Sequence, residues 1–177
     1  VFKKNTLYIL NISSPEFPKG TVEATYQNLG LDFKQTSSKK GFQSQSFKTD
    51  FGVVWMNSGG VYIYDGQNVQ SLTDNKIRNM WMGEDGYEPF FADDDDDVPA
   101  IGYDPKSKKI ICSKTMSANG SDEEHLLVYD IKNKSWTYSE NILTNGVHKT
   151  NFIIYKNELI WIEDNDASNL KVKYWND

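Results

Sequence analysis

The sequence predicts an all-β fold. Three observations predict it: short β-branched and aromatic runs, turn residues between them at regular intervals, and no stretch with helical apolar periodicity. Aromatic residues make up 14% of the chain, a bias toward the side chains that fit a pleated, half-buried surface. The chain of 177 residues has the length of one domain, which buries roughly 70% of the surface exposed when unfolded.

The first predicted strand covers 6–12, followed by a break at Ser13-Ser14-Pro15 and a second strand over 21–26. Residues 27–50 carry no clear pattern. From 51 the punctuation sharpens. A strand over 51–56 meets the turn Asn57-Ser58-Gly59-Gly60, a strand over 61–64 meets Asp65-Gly66, and a short strand covers 69–72. Glycine supplies the positive φ such hairpin turns need. The same order returns with strands at 100–103, 109–114, 125–129 and 135–138, the first turn being Asp104-Pro105-Lys106-Ser107. A third round places strands at 151–155 and 158–163 around Lys156-Asn157, then enters 170–175. Tyr174-Trp175-Asn176 falls where Tyr64-Asp65-Gly66 and Tyr129-Asp130-Ile131 fall earlier, and those units go on to one more strand. Two arrangements complete the repeat: the strand 6–12 closes the last unit, or the 177 residues are a fragment of a longer polypeptide.

Four-stranded units recurring about every 40–50 residues have the period of β-propeller blades. The reading is therefore a single propeller-like domain or fragment over 1–177, with antiparallel four-stranded units at about 1–50, 51–99, 100–147 and 148–177, the last incomplete. A complete propeller has about four to eight blades, so the chain is a minimal ring or part of a larger one. A β-sandwich also satisfies the strand count.

Chemistry-bearing motifs are sparse. The chain has two histidines, His125 and His148, and neither lies in a nucleophile motif. With one cysteine, Cys112, there is no zinc cluster and no internal disulfide, and its run Ile110-Ile111-Cys112 suits a small buried hydrophobe. The glycine pairs sit in turns with no following helix to bind phosphate. The expectation is a binding or structural module, not an enzyme. A formal net charge of −6 with scattered lysines disfavours specific nucleic-acid binding. No apolar run is long enough for a membrane-spanning helix.

The acidic run 93–97 can gather a hard cation, so Asp93, Asp95 and Asp97 are calcium candidates in a chain otherwise expected to carry no cofactor. Its spacing is wrong for a dedicated calcium loop, and the alternative is a solvated, self-repelling loop. Facing a DNA channel, such a loop would repel the passing backbone. Trp55, Trp136 and Trp161 fall inside strand runs and belong to the core. Trp81, set among Arg78, Asn79 and Gly83, is the candidate exposed anchor for an interaction. Paired carboxylates and the many aromatics leave open a propeller that binds or hydrolyses glycans, with calcium in its acidic loops.

The stretch from Phe51 through Trp55, Gly59-Gly60, Tyr62 and Tyr64-Asp65-Gly66, with Tyr103-Asp104-Pro105 and Tyr129-Asp130 leading to Ser135-Trp136-Thr137, resembles the β-propeller proteins of tailed-bacteriophage tails, of the tail hub, nozzle or muzzle type. The Tyr-Asp, turn, Ser-Trp-Thr edge is also similar to kelch-type propellers. The resemblance covers about 45–175. It implies a structural protein of the virion tail, packed against copies of itself and other tail proteins around the tail axis and DNA exit channel. It implies no catalytic residue.

Overall fold

The computed structural model describes residues 2–3, 6–11, 21–27, 46–90, 98–118, 125–164 and 169–175. Within them the all-β class holds, with a single five-residue helix. The first sheet holds β1 (Phe2–Lys3), β2 (Thr6–Asn11) and β3 (Thr21–Gln27). The second holds β4 (Ser46–Thr49), β5 (Gly52–Asn57), β6 (Gly60–Tyr64) and β7 (Val69–Ser71), and leads into the helix α1 (Arg78–Met82). The third holds β8 (Ala100–Asp104), β9 (Lys109–Ser113), β10 (Leu126–Asp130) and β11 (Ser135–Ser139). The fourth holds β12 (His148–Lys149), β13 (Ile153–Tyr155), β14 (Glu158–Asp164) and β15 (Leu170–Tyr174).

Every described pairing is antiparallel, and the second and third sheets are simple meanders in chain order. In the fourth, β12 and β13 both lie along one side of β14 and β15 along the other. Since 148 pairs with 164 but 153 pairs with 160, the two short strands act as one strand interrupted by a one-residue slip.

Two expectations change. The second unit begins at β4, in the stretch that carried no clear pattern. Ser46-Phe47-Lys48-Thr49 offers only one large apolar residue, and the ladder to β5 makes it a strand. Nor does the strand at 6–12 close the last unit: β2 pairs with β1 and β3, not with β15.

Aspartates end strands at the hairpins. Asp65 Oδ1 accepts the N–H of Gln67 at 2.9 Å and of Asn68 at 2.8 Å, Asp104 Oδ2 that of Ser107 at 2.8 Å, and Asp130 Oδ1 that of Asn133 at 2.9 Å. These are side chains standing in for the next turn of backbone. The Tyr-Asp pairs are therefore folding devices, and the hydrogen bonds from Asn68 and Gln67 hold the Asp65 carboxyl below the usual range.

Strand alternation sorts the core into layers. Leu7, Ile9 and Tyr26 of the first sheet meet Trp55 and Tyr62 of the second. From the opposite face of the second sheet, Val54, Met56, Val61 and Ile63 meet Ile101, Tyr103, Ile110, Cys112, Leu127 and Tyr129 of the third. The other face of the third, with Ala100, Ile111, Leu126 and Val128, meets Phe152, Leu159 and Trp161 of the fourth. The sheets thus stack in chain order. Because the second and third are covered on both faces, their strands read as continuous apolar runs rather than alternating ones. Gly102 marks a close approach between the third and fourth sheets: a Cβ there would lie 2.8 Å from Phe152 Cβ and Cγ. The first strands of successive sheets sit side by side, β8 touching β4 and, on its other flank, β13 and β14.

Candidate functional site

Trp81 is not the exposed anchor its neighbours imply. It is 1% exposed, stacks on Phe90 with centroids 4.8 Å apart, and its indole N–H donates to the Asn57 carbonyl at 3.1 Å. The helix α1 is one short turn against the second sheet, so its polar neighbours Arg78 and Asn79 face water while Trp81 faces the core. Gly83 ends that turn at φ 72°, packed against Pro89, a place where a side chain would clash.

Asp93, Asp95 and Asp97 lie outside the described residues. Among the described residues, no three His, Cys, Asp or Glu side chains gather to hold a metal ion. No described helix is long and apolar enough to cross a membrane. Cys112 is fully buried and burial pushes its thiol well up, so it behaves as a core hydrophobe. The two histidines stand apart in role: His148 Nδ1 accepts the Ala118 N–H at 3.2 Å, while the His125 ring meets Tyr138 edge-on at 5.4 Å.

His125 belongs to a cleft of about 570 Å³ that also takes in Met80, Tyr87, Glu88, Lys114 and Tyr138. Tyr87 and Tyr138 are 52% and 43% exposed, which leaves ring faces open to a ligand. Lys114 is buried in its wall, with Nζ 3.9 Å from Glu88 Oε2. Two open aromatic rings with a cation and a carboxylate suit the holding of a polar ligand by stacking and hydrogen bonding.

A second surface is apolar. On the fourth sheet, cross-strand register puts Ile153 and Tyr155 of β13, Ile160 and Ile162 of β14, and Leu170, Val172 and Tyr174 of β15 on one face, pointing away from the third sheet. Five of them are 47–65% exposed. A contiguous exposed apolar sheet face of this kind is a candidate contact surface. Its signal in the sequence is the alternation Leu170-Lys171-Val172-Lys173-Tyr174, which the propeller reading used only as a strand.

The inner face of that sheet is fixed by a buried carboxylate. Glu163 is 1% exposed and accepts hydrogen bonds from Thr144 Oγ1 at 2.8 Å and Trp161 Nε1 at 3.1 Å, with Lys173 Nζ at 3.3 Å. Burial alone would raise its carboxyl, but these donors outweigh it and hold the group below its usual value. Where the second sheet meets the third, Asp50 accepts from Tyr103 Oη at 3.1 Å and from Lys108 Nζ. These charges are tied into the fold. No family model, curated protein or solved structure matches the chain.

Proposed function

We propose that the chain is a structural packing module of a larger assembly, working by shape and surface burial rather than by catalysis. The observation that carries this reading is the uncovered apolar face of the fourth sheet. Its counterparts on the second and third sheets are closed by the next sheet in line. The finer form of the proposal is a β-propeller part of a virion tail, packed against copies of itself and other tail proteins around the DNA exit channel. What supports the propeller is the meander sheets in chain order with their first strands side by side. What supports the tail is the resemblance of the Tyr-Asp-turn units to phage tail propellers.

Electron microscopy of particles from the source, with the chain located by a labelled antibody, tests the assembly. Copies repeated around a tail axis support the virion role. Soluble monomers with no particle would overturn it.

The cleft at Tyr87 and Tyr138 favours a second reading, a glycan-binding module. A glycan array with the native chain and with Tyr138→Ala tests it: binding that the substitution removes supports this reading, and no binding to any glycan counts against it.

A further inference from the structure

The third sheet ends on β11, and no described strand lies along its far side. Which backbone groups face that open edge follows from the ladder. The Ile131 N–H donates to the Lys108 carbonyl at 3.2 Å, and the His125 carbonyl accepts from the Lys114 N–H at 3.3 Å, so both ends of β10 fix the direction of the bonds to β9. Direction alternates along an antiparallel strand, which turns Leu126, Val128 and Asp130 toward their partners Ser139, Thr137 and Ser135. The backbone N–H and C=O groups of Trp136 and Tyr138 therefore point outward.

Edge strands are ordinarily protected by a charge, a proline or a bulge. β11 has none of these. It reads Ser135-Trp136-Thr137-Tyr138-Ser139, five residues with strong strand formers at its centre, in unbroken register with β10. The outer strand of the second sheet, β7, is only three residues long. Both rings of β11 are already held in place: Trp136 stacks on Tyr129 at 5.0 Å and donates to the Leu72 carbonyl at 2.8 Å, and Tyr138 meets His125 edge-on. Pairing this edge thus costs little further ordering.

The sequence of β11 is its own antiparallel complement. With the Thr137 residues of two copies opposite each other, Trp136 meets Tyr138, Ser135 meets Ser139, and just beyond the strand ends Lys134 meets Glu140. Aromatic pairs, hydroxyl pairs and opposite charges are the cross-strand contacts that stabilise an antiparallel ladder. A parallel pairing would instead set Lys134 beside Lys134 and Glu140 beside Glu140. Both flanking side chains are exposed. Lys134 meets Lys76 through its backbone carbonyl rather than its ammonium, and Glu140 lies 3.9 Å from His125 Nε2, beyond hydrogen-bond distance.

We propose that the chain pairs with a second copy of itself through β11, edge to edge and antiparallel about Thr137, joining the two third sheets into one continuous sheet. Trp136 and Tyr138 supply the hydrogen bonds between the copies, and Lys134 of each faces Glu140 of the other. A contact between two five-residue strands is small, so the pairing is weak in free solution and gains strength where an assembly sets copies side by side. This inference concerns the outer edge of the third sheet, and it stands whether or not the uncovered face of the fourth sheet docks a tail protein.

Sedimentation equilibrium of the 177-residue chain, with amide exchange of the ¹⁵N-labelled protein, tests the pairing. The expected result is a dimer that builds up with concentration while exchange at Trp136 and Tyr138 slows in step. Glu140→Lys and Lys134→Glu each set like charges against each other and are expected to weaken the dimer about tenfold. The double variant restores opposite pairs and is expected to return to within about threefold of the native chain. Thr137→Lys, at an exposed position, brings two ammonium groups together at the centre and is expected to abolish the dimer with the fold intact, as thermal melts would show. Val172→Thr, on the fourth sheet, is expected to leave it unchanged. A chain that stays monomeric at its highest soluble concentration overturns the proposal, and so does a double variant as weak as the single ones. A dimer indifferent to the charge variants and dissolved by Val172→Thr also overturns it, and assigns self-association to the fourth sheet. Slowed exchange at Trp136 and Tyr138 only on mixing with another protein gives the edge to a foreign strand and equally overturns it.

Discussion

The third and fourth sheets are built on the same plan yet live in different surroundings. Leu126, Ile111 and Ala100 on one face of the third, and Leu127, Ile110 and Ile101 on the other, are almost wholly out of water. In the fourth, Leu159 and Trp161 are buried while Val172 and Tyr174 are about half exposed. One sheet is therefore core on both faces while the other leaves one face exposed, and the difference lies in whether a described neighbour covers that face.

Cutting the shared interface gives the largest expected effect. Phe152→Ala empties the space over Gly102 and should lower stability by about 3–5 kcal/mol, read from the urea midpoint at constant slope. Glu163→Gln removes a buried charge that three side chains hold, and should cost about 1.5–3 kcal/mol at neutral pH. Because its carboxyl sits below the unfolded value of 4.5, that stabilisation is present above pH 4.5 and is lost as pH falls through the folded value. The gap between native and variant should therefore close on acidification, as followed by thermal melts across pH. Gly102→Ala pushes a methyl into Phe152 and should cost about 1–3 kcal/mol, with Gly66→Ala, which meets no neighbour in space but sits at φ 103°, as a control for backbone strain alone. Smallest of all, Val172→Thr on the open face should change the stability of the isolated chain by less than about 0.5 kcal/mol. The same substitution should weaken assembly, measured by sedimentation of reconstituted complexes. A large loss of stability from Val172→Thr would mean that the face is already covered, and would erase the contrast.

Much of this plan was legible in the residues. The third sheet stands within a residue or so of its expected strands, because Ile-Gly-Tyr-Asp and Leu-Val-Tyr-Asp runs end on turn-forming aspartates that announce their own boundaries. β4 was not legible, since its strand character comes from β5 beside it rather than from its own side chains. Trp81 failed for a related reason: polar neighbours describe the outer side of a single helical turn and say nothing of the inner one. Among the aromatics in strand runs, burial was foreseeable for Trp55 and Trp161. Which face stays open was not, because alternation records that a strand has two sides without naming the occupant of either. Nor did spacing bring Thr144 to Glu163, a contact made by a loop returning across the sheet.

Each of the second, third and fourth sheets is made from consecutive residues, and each stacks on the one before it. A ribosome making this chain thus delivers the sheets in the order in which they must be laid down. Every new layer finds its seat already formed, and the described strands of each sheet pair with strands close to them in sequence. The growing end always shows a fresh apolar layer, and on the fourth sheet that face is still half exposed.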